Sequence, residues 1–443
     1  MRRLLVLLLW SIPASASANG AYTHVHMSQL ALDMLSPGEL REVLDAERRA
    51  LEAGSMFPDS GYAVSDAYGE LAHWERFLDA YVRYLRATYD GDYTSPEARA
   101  HVAFLLGVAS HGMADQSYDT TLLARSYEVD GPEDPDAPVD QYADYFLVVD
   151  EGVVFEVPAF APYEDLPAVI RDASGGHEVS PSTLMDAMRR METVADLQTN
   201  ERIASRLYWD AWASYPFLGT HVYNPRAVGS VTWTAALIAE YWRVIWARLN
   251  AADDPDADLV IRTVPEDGAE NWPVDRSESE AWGRVAIWFG YGVDRDQISP
   301  RVTLTDPGGA AVPVRFETAY GGRERNLLFV VPEETLAHDT VYTVEVGAGV
   351  ETISGATTTA PSLFSFRTRC ADDRLADCPP LEPPLETGPI PERPIPTRDA
   401  GAPTGDAGAP AEPSGGCAAS PGHGGAVWWL ALFGLLLLRA RRV

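Results

Sequence analysis

Cysteine is scarce in this 443-residue chain: Cys370, Cys378 and Cys417 are the only three, and all come late. That excludes a disulfide framework over everything before residue 370. Cys370 and Cys378 can pair across a short loop, which leaves Cys417 as the odd thiol. Basic residues are also few, 34 Lys and Arg against 65 Asp and Glu, for a formal net charge of -31. So acidic a chain is repelled by phosphate backbones, which disfavours nucleic-acid binding through a basic patch. Most of the surplus carboxylates read as a solubilising surface. Long apolar runs are missing as well. The one near the C-terminus, residues 426–438, is shorter than the roughly 20 residues that a spanning helix needs. What is present is ample core material, 46% hydrophobic residues, in a length that suggests two or three domains.

The two ends read as addresses. MRRLLVLLLWSIPASASA has a charged start at Arg2 and Arg3, an apolar centre from Leu4, and small residues at Ala16, Ser17 and Ala18. This is the pattern of a secretory signal, residues 1–18, with cleavage after Ala18 or after Ala16. The protein is therefore expected to be exported. Residues 371–416 are rich in Pro, Gly, Ala and acidic residues and read as an extended, disordered stalk. Residues 417–443 place Cys417 before the apolar segment, with Arg439, Arg441 and Arg442 after it. That order resembles myxobacterial-type C-terminal sorting signals, which implies processing near Cys417 and display at the cell surface. The ordinary alternative is a tail anchor in the membrane.

Between these ends the hydrophobic period changes once. Residues 19–258 read as helical. Ser36-Pro37-Gly38-Glu39 predicts a capping box, with its helix ending at Gly54. A second helix is expected over residues 71–89, and Ser95-Pro96-Glu97 opens a third. Two more, rich in Trp and Tyr, are expected over residues 199–217 and 231–250. Residues 259–370 hold short runs such as RVAIWFGYGV, RVTLTD, NLLFVV and SLFSFRTR, split by Gly, Pro, Asp and Asn. About seven strands at that spacing suggest a β-sandwich. The chain is thus expected to be multidomain, all-α and then all-β. The runs Thr340-Val341-Tyr342-Thr343-Val344 and Phe364-Ser365-Phe366-Arg367-Thr368 resemble those of bacterial Ig-like domains that follow surface enzymes. With no catalytic cluster of its own, this part is expected to be a spacer or docking module.

The helical part carries the chemistry. In FLLGVASHGMADQSYDTTL, His111, Asp115 and Asp119 recur at steps of four, which places them on one helical face. Three ligand-type side chains on an apolar helix are costly unless something pairs them, and a metal ion does so. Upstream stand Tyr22-Thr23-His24, Phe57-Pro58-Asp59 and Ala72-His73-Trp74; downstream, Asp140 and Asp144 form another four-residue pair. Imidazoles and carboxylates are the ligands of hydrolytic zinc sites.

The order THxxxxxLAxxxL, FPDSGY, HWxxFLxAxVxYL and AFLLGxxSHxxAD resembles the zinc-dependent phospholipase C and S1-P1 nuclease superfamily, nearest its glycosylphosphatidylinositol-specific phospholipase D branch. The likeness covers residues 20–150 with ordered motifs and the later helices more weakly. It implies a helical all-α domain holding three metals. By position, Asp59, His73, His111 and Asp115 correspond to the ligands of one zinc. Asp115 would bridge to a second, held also by His24 and by the amine and carbonyl of the mature N-terminus. In the nuclease branch the first histidine is the sixth mature residue, and cleavage after Ala18 makes His24 the sixth with Asn19 the first. The third site of the family usually has two histidines and a carboxylate. Here the corresponding residues are Asp119, Asp140 and Asp144, so either that site takes a harder ion, Mg²⁺, Mn²⁺ or Ca²⁺ in place of Zn²⁺, or it is lost.

The resemblance implies a metal-dependent phosphodiesterase, with water activated by zinc and Asp59 as general base. The preferred reading is a monomeric phospholipase C or D acting on phospholipid or lipid-linked phosphodiesters, tethered to membrane by its C-terminal segment. A nuclease with the same metals, and an adhesion protein with a decayed site, are the alternatives. His26 and His101 match no ligand and read as capping or partly exposed, His177, His221, His338 and His423 as surface residues, and the tryptophans as core with one or two lining a cleft.

Overall fold

The computed structural model describes residues 20–131, 139–153, 158–198, 201–274 and 284–371. The expected signal segment, Asn19, Cys378, Cys417, the expected stalk from residue 372 and the C-terminal segment lie outside them. Cys370 is disulfide-bonded.

The helical part is built around one helix. Helices α1 (Ala21–Met34), α2 (Glu39–Ala46), α3 (Arg48–Gly54), α4 (Phe57–Ala63), α5 (Tyr68–Ala72) and α6 (Glu75–Tyr89) lead to α7 (Pro96–Ser117). Ser95 opens α7 as the sequence predicts: its Oγ accepts from the Ala98 amide at 3.1 Å, and Pro96 takes the first turn, where no amide is needed. From Val102 to Ser117 every residue of α7 is buried. A helix apolar all round is a core helix. It packs on α1, α3, α6 and α14 (Val231–Leu249). The rest comprises α8 (Ala124–Val129), α9 (Val139–Asp150), α10 (Leu166–Ser174), α11 (Pro181–Gln198), α12 (Glu201–Ser214) and α13 (Pro216–His221). Ser230 caps α14 through the Trp233 amide.

Three local expectations need correction. No side chain caps α2, whose cap is Gly38 with extended backbone, so the predicted capping box does not form. The helix expected to run to Gly54 breaks at Glu47, with φ -119° and ψ 35°, into α2 and α3. The helix expected over 71–89 is two pieces. Trp74 is extended between α5 and α6, and the Gly69 carbonyl of α5 is taken by the His73 ring.

The all-β part is a sandwich of two four-stranded sheets. One has the order β1 (Val260–Val264), β3 (Val285–Asp294), β6 (Glu324–Pro332), β5 (Val314–Thr318). The other runs β2 (Ala269–Trp272), β8 (Ser362–Thr368), β7 (Val341–Val346), β4 (Val302–Thr305). All pairs are antiparallel except β2 with β8. The short strands β1 and β2 come ahead of the first run identified in the sequence. Every residue of β3 is buried, because α14 and α6 cover the face turned away from the second sheet. Trp233 of α14 meets Trp288 of β3 with ring centroids 4.9 Å apart. The sandwich is therefore packed on the helices, which accords with the docking half of the expectation of a spacer or docking module. No helix among the described residues is long and apolar enough to cross a membrane.

Candidate metal centre

Four segments converge on one buried point. His24 comes from the first turns of α1, Asp59 from the first turn of α4, His73 from the break after α5, and His111 and Asp115 from the last turns of α7. Close backbone approach makes this possible. A Cβ on Gly112 would lie 2.0 Å from the His73 carbonyl oxygen, and one on Gly107 would lie 2.1 Å from that of Leu51. Glycine at these positions lets the α3 end and the His73 segment press onto α7. Ser28, Ser55 and Ser110 then join α1, the end of α3 and α7 through buried hydroxyls, with 2.7 Å between Ser28 and Ser55 and 2.6 Å between Ser28 and Ser110.

The two facing imidazoles have fixed tautomers. His73 Nδ1 donates to the Gly69 carbonyl at 2.7 Å, and His111 Nδ1 donates to the Ser55 carbonyl at 2.8 Å. A carbonyl only accepts, so each Nδ1 carries a proton and each neutral ring presents a bare Nε2. Those two Nε2 atoms face one another at 3.1 Å. His73 Nε2 lies 3.5 Å from Asp59 Oδ1 and 3.4 Å from Asp115 Oδ2. His111 Nε2 lies 3.6 Å and 3.5 Å from the same two oxygens. These separations are too long for good hydrogen bonds. They fit something else: two ligand atoms each about 2.0–2.1 Å from a tetrahedral zinc stand roughly 3.3 Å apart. Lone pairs and carboxylate oxygens so gathered repel unless a cation lies among them.

The other oxygen of Asp115 turns the opposite way. Oδ1 is 3.2 Å from His24 Nε2. Among the described residues, neither ring nitrogen of His24 nor Asp115 Oδ1 has a hydrogen-bond partner, although all three atoms are buried. The residues thus fit a metal pair divided across one carboxylate. Burial by itself pushes the carboxyls of Asp59 and Asp115 up; a positive charge beside them, a protonated imidazole or a cation, reverses this and holds both below the usual range. The Asp59 side chain is 17% exposed, against 3% or less for the other four. It is the side of the centre open to solvent.

The remaining expected ligands are placed differently. Asp119 falls in a π-helical turn, Tyr118–Leu123, whose wider spacing ends the four-residue stripe. It accepts a hydrogen bond from Tyr320. Asp144 is fully buried on α9 and accepts from the Thr23 amide at 2.8 Å and the Thr23 hydroxyl at 2.6 Å. It closes the first turn of α1, and burial pushes its carboxyl up to about 7. Asp140 also lies on α9, with its side chain outside the described residues. Among the described residues the groups able to hold a metal are His24, Asp59, His111 and His73, His111, Asp115. Asn19 lies outside them.

Sequence reasoning missed the Gly69 and Ser55 carbonyls, the serine cluster and Tyr320. Gly69 sits four residues before His73, a spacing that was visible; the others come from distant parts of the chain. His101 and His221, read as more exposed, are buried and bonded to Tyr81 and to the Phe217 carbonyl.

Residues 23–118 match the family described as zinc dependent phospholipase C, and residues 254–368 match the bacterial Ig-like domain. The helical region thus carries a likeness to a phospholipase C family, and the strand-rich region after it a likeness to an Ig-like domain. The first match spans His24, Asp59, His73, His111 and Asp115 and ends one residue before Asp119. Phosphatidylinositol-glycan-specific phospholipase D of Rattus norvegicus is 36% identical over 134 residues, which is 28% of this chain and 16% of that protein. The Homo sapiens protein is 33% identical over 133 residues, again 28% and 16%. That of Dictyostelium discoideum is 44% identical over 69 residues, 15% of this chain and 7% of that one. The chain thus spans about a sixth or less of the length of these relatives. Among solved structures, the S-layer protein rSbsC(31-844) aligns over 75% of this chain and 46% of that one, at 14% identity and a TM-score of 0.20.

Proposed function

We propose that the protein is an exported, zinc-dependent phosphodiesterase of the phospholipase type, acting on phospholipid or lipid-linked phosphodiesters at the cell surface. The observation that carries this reading is the set of separations among His73 Nε2, His111 Nε2, Asp59 Oδ1 and Asp115 Oδ2, from 3.1 to 3.6 Å. These four atoms would hold one zinc. Asp115 Oδ1 and His24 Nε2, with the amine and carbonyl of Asn19 once the leader is removed, would hold a second. We assign no third ion, because Asp119 and Asp144 already serve Tyr320 and the first turn of α1.

Zinc at such a site supplies Lewis acidity toward a phosphoryl oxygen and lowers the pKa of water to about 7. The chain does the rest. The Gly69 and Ser55 carbonyls keep the two imidazoles in one tautomer and orientation. Asp59, the most accessible carboxylate, takes the proton from the attacking water. The leader-like N-terminus supports export, and the apolar segment near the C-terminus supports attachment to membrane.

The test is elemental analysis of the exported full chain, with hydrolysis of phosphatidylcholine and phosphatidylinositol vesicles measured beside single-stranded DNA. The expected result is about two zinc ions per chain, lost in Asp115→Asn, and hydrolysis of phospholipid. No zinc after reconstitution overturns the metal reading. Zinc with cleavage of DNA alone overturns the substrate.

A further inference from the structure

The turn before β6 brings the sandwich to the rim of the centre. Ala319–Gly321 is a single tight turn, and Tyr320 within it has φ 54° and ψ 18°, a left-handed backbone that bulky residues avoid. Tyr320 is 51% exposed. Its hydroxyl donates to the Asp115 carbonyl at 3.2 Å and to the Asp119 carboxylate. Its ring stands edge-on to Trp74, with centroids 6.0 Å apart. Trp74 follows His73 in the chain, and its ring is 5.7 Å from the His73 ring.

Arg325 of β6 lies on the same tryptophan, its guanidinium carbon 3.6 Å from the ring centroid. Gly322 makes the slot for it, since a Cβ there would fall 2.1 Å from that carbon. Nε donates to the Ala319 carbonyl at 3.2 Å and Nη1 to the Glu324 carbonyl at 2.7 Å. Its surroundings set it apart from its neighbours. Arg323 pairs with Asp294, and Arg76 pairs with Glu324. Arg325 is half-buried and, among the described residues, has no carboxylate within ion-pair distance. Burial pulls its pKa below the usual guanidinium range, and the charges of Glu70 and Glu324, neither bonded to it through a carboxylate, oppose this only in part. An unpaired, half-buried cation in a chain of net charge -31 is a place for an anion. With Nε and Nη1 each giving a hydrogen to a backbone carbonyl, the guanidinium held flat on the ring still has its Nη2 hydrogens to offer phosphoryl oxygens.

We propose that the Ig-like domain completes the substrate site: Arg325, seated on Trp74, binds the phosphodiester anion of the substrate, and Tyr320 ties that wall to the helix carrying Asp115. The proposal rests on the hydrolase reading above. It makes the sandwich part of the working enzyme.

The test compares the zinc-loaded full chain with Arg325→Met, which keeps the packing and removes the charge, and Arg325→Lys, which keeps the charge and loses the flat fork. Three quantities are read: zinc content, binding of dimethyl phosphate by tryptophan fluorescence, and KM and kcat on a soluble short-chain phosphatidylcholine. Arg325→Met is expected to bind dimethyl phosphate about 10- to 100-fold more weakly, the range for a lost charge-assisted hydrogen bond. KM rises by a similar factor, zinc content is unchanged, and kcat changes far less. Arg325→Lys falls between. Wild-type affinity and KM in Arg325→Met overturn the proposal. So does loss of zinc in step with affinity, which would make Arg325 structural. If the wild-type chain holds zinc but hydrolyses no phospholipid, the hydrolase reading fails. The dimethyl phosphate arm then still decides whether Arg325 binds the anion.

Discussion

A buried imidazole takes its charge state from what its two nitrogens meet, and the histidines of this chain meet different things. His73 and His111 each give one proton to a carbonyl and turn a lone pair inward. His101 is buried with Nδ1 2.8 Å from the Tyr81 hydroxyl and Nε2 3.3 Å from Asp165. Burial lowers its pKa from 6.5, and the Asp165 and Glu97 carboxylates only partly oppose this. The sign follows directly. In the unfolded chain His101 gains its proton near pH 6.5; in the fold it does so at lower pH, so acid favours unfolding in that window. His101→Gln is expected to reduce the loss of stability between pH 7.5 and 5.5, measured by urea denaturation at each pH; an unchanged pH slope would refute it. That the five residues from His24 to Asp115 share a site was legible because each lies inside a short motif in a set order, and the fold brings them together. The carbonyls that orient the rings were not, because a backbone group carries no residue signature and Ser55 lies far in sequence from His111.

Elements place these residues through close backbone contact. Gly112 sits one position past His111, where any Cβ would meet the His73 carbonyl oxygen at 2.0 Å. That oxygen is backbone and cannot swing aside, so Gly112→Ala must push the His73 segment off α7. Overpacking of this kind costs about 1–3 kcal/mol. The displaced residue is also a proposed ligand, so Gly112→Ala is expected to lower both the melting temperature and the affinity for zinc, read by calorimetry with and without a chelator. A normal zinc affinity with a lowered melting temperature would show that the contact is only structural. The start of α7 was legible from Ser95 and Pro96, and its path from unbroken apolar residues. Its end was not: counting by fours to Asp119 assumes a regular helix, and the π-helical turn from Tyr118 breaks that count. The helix expected over residues 71–89 failed for a related reason, since the His73 ring takes a carbonyl that a continuous helix would use.

At the scale of the whole molecule the question is whether the helices and the sandwich are separable. The strand alternation made a sandwich legible, and β3 held a further clue: VAIWFGYGVD is apolar almost throughout, the pattern of a strand covered on both faces. A spacer would have one such face in water. The covered face is joined to the helices by a buried polar network. Glu75 accepts from Arg248 at 2.6 Å, from Tyr241 at 2.7 Å and from Asn326 of β6 at 3.4 Å, while Gln116, next to Asp115, accepts from the Asn326 amide at 2.8 Å. Arg248 also reaches Asp79 at 3.2 Å. Removing one partner of a buried pair strands the other charge, at a cost of about 3–5 kcal/mol. Arg248→Met is therefore expected to lower the urea midpoint sharply, with tryptophan fluorescence and far-ultraviolet circular dichroism moving together in one transition. Adding Glu75→Gln removes the stranded carboxylate and should recover much of the loss, because the remaining amide still bonds to Tyr241 and Asn326. Two separate transitions, with the sandwich melting where it does in the unaltered protein, would mean that the domains are independent and that a helical fragment ending before β1 could keep the metal centre by itself.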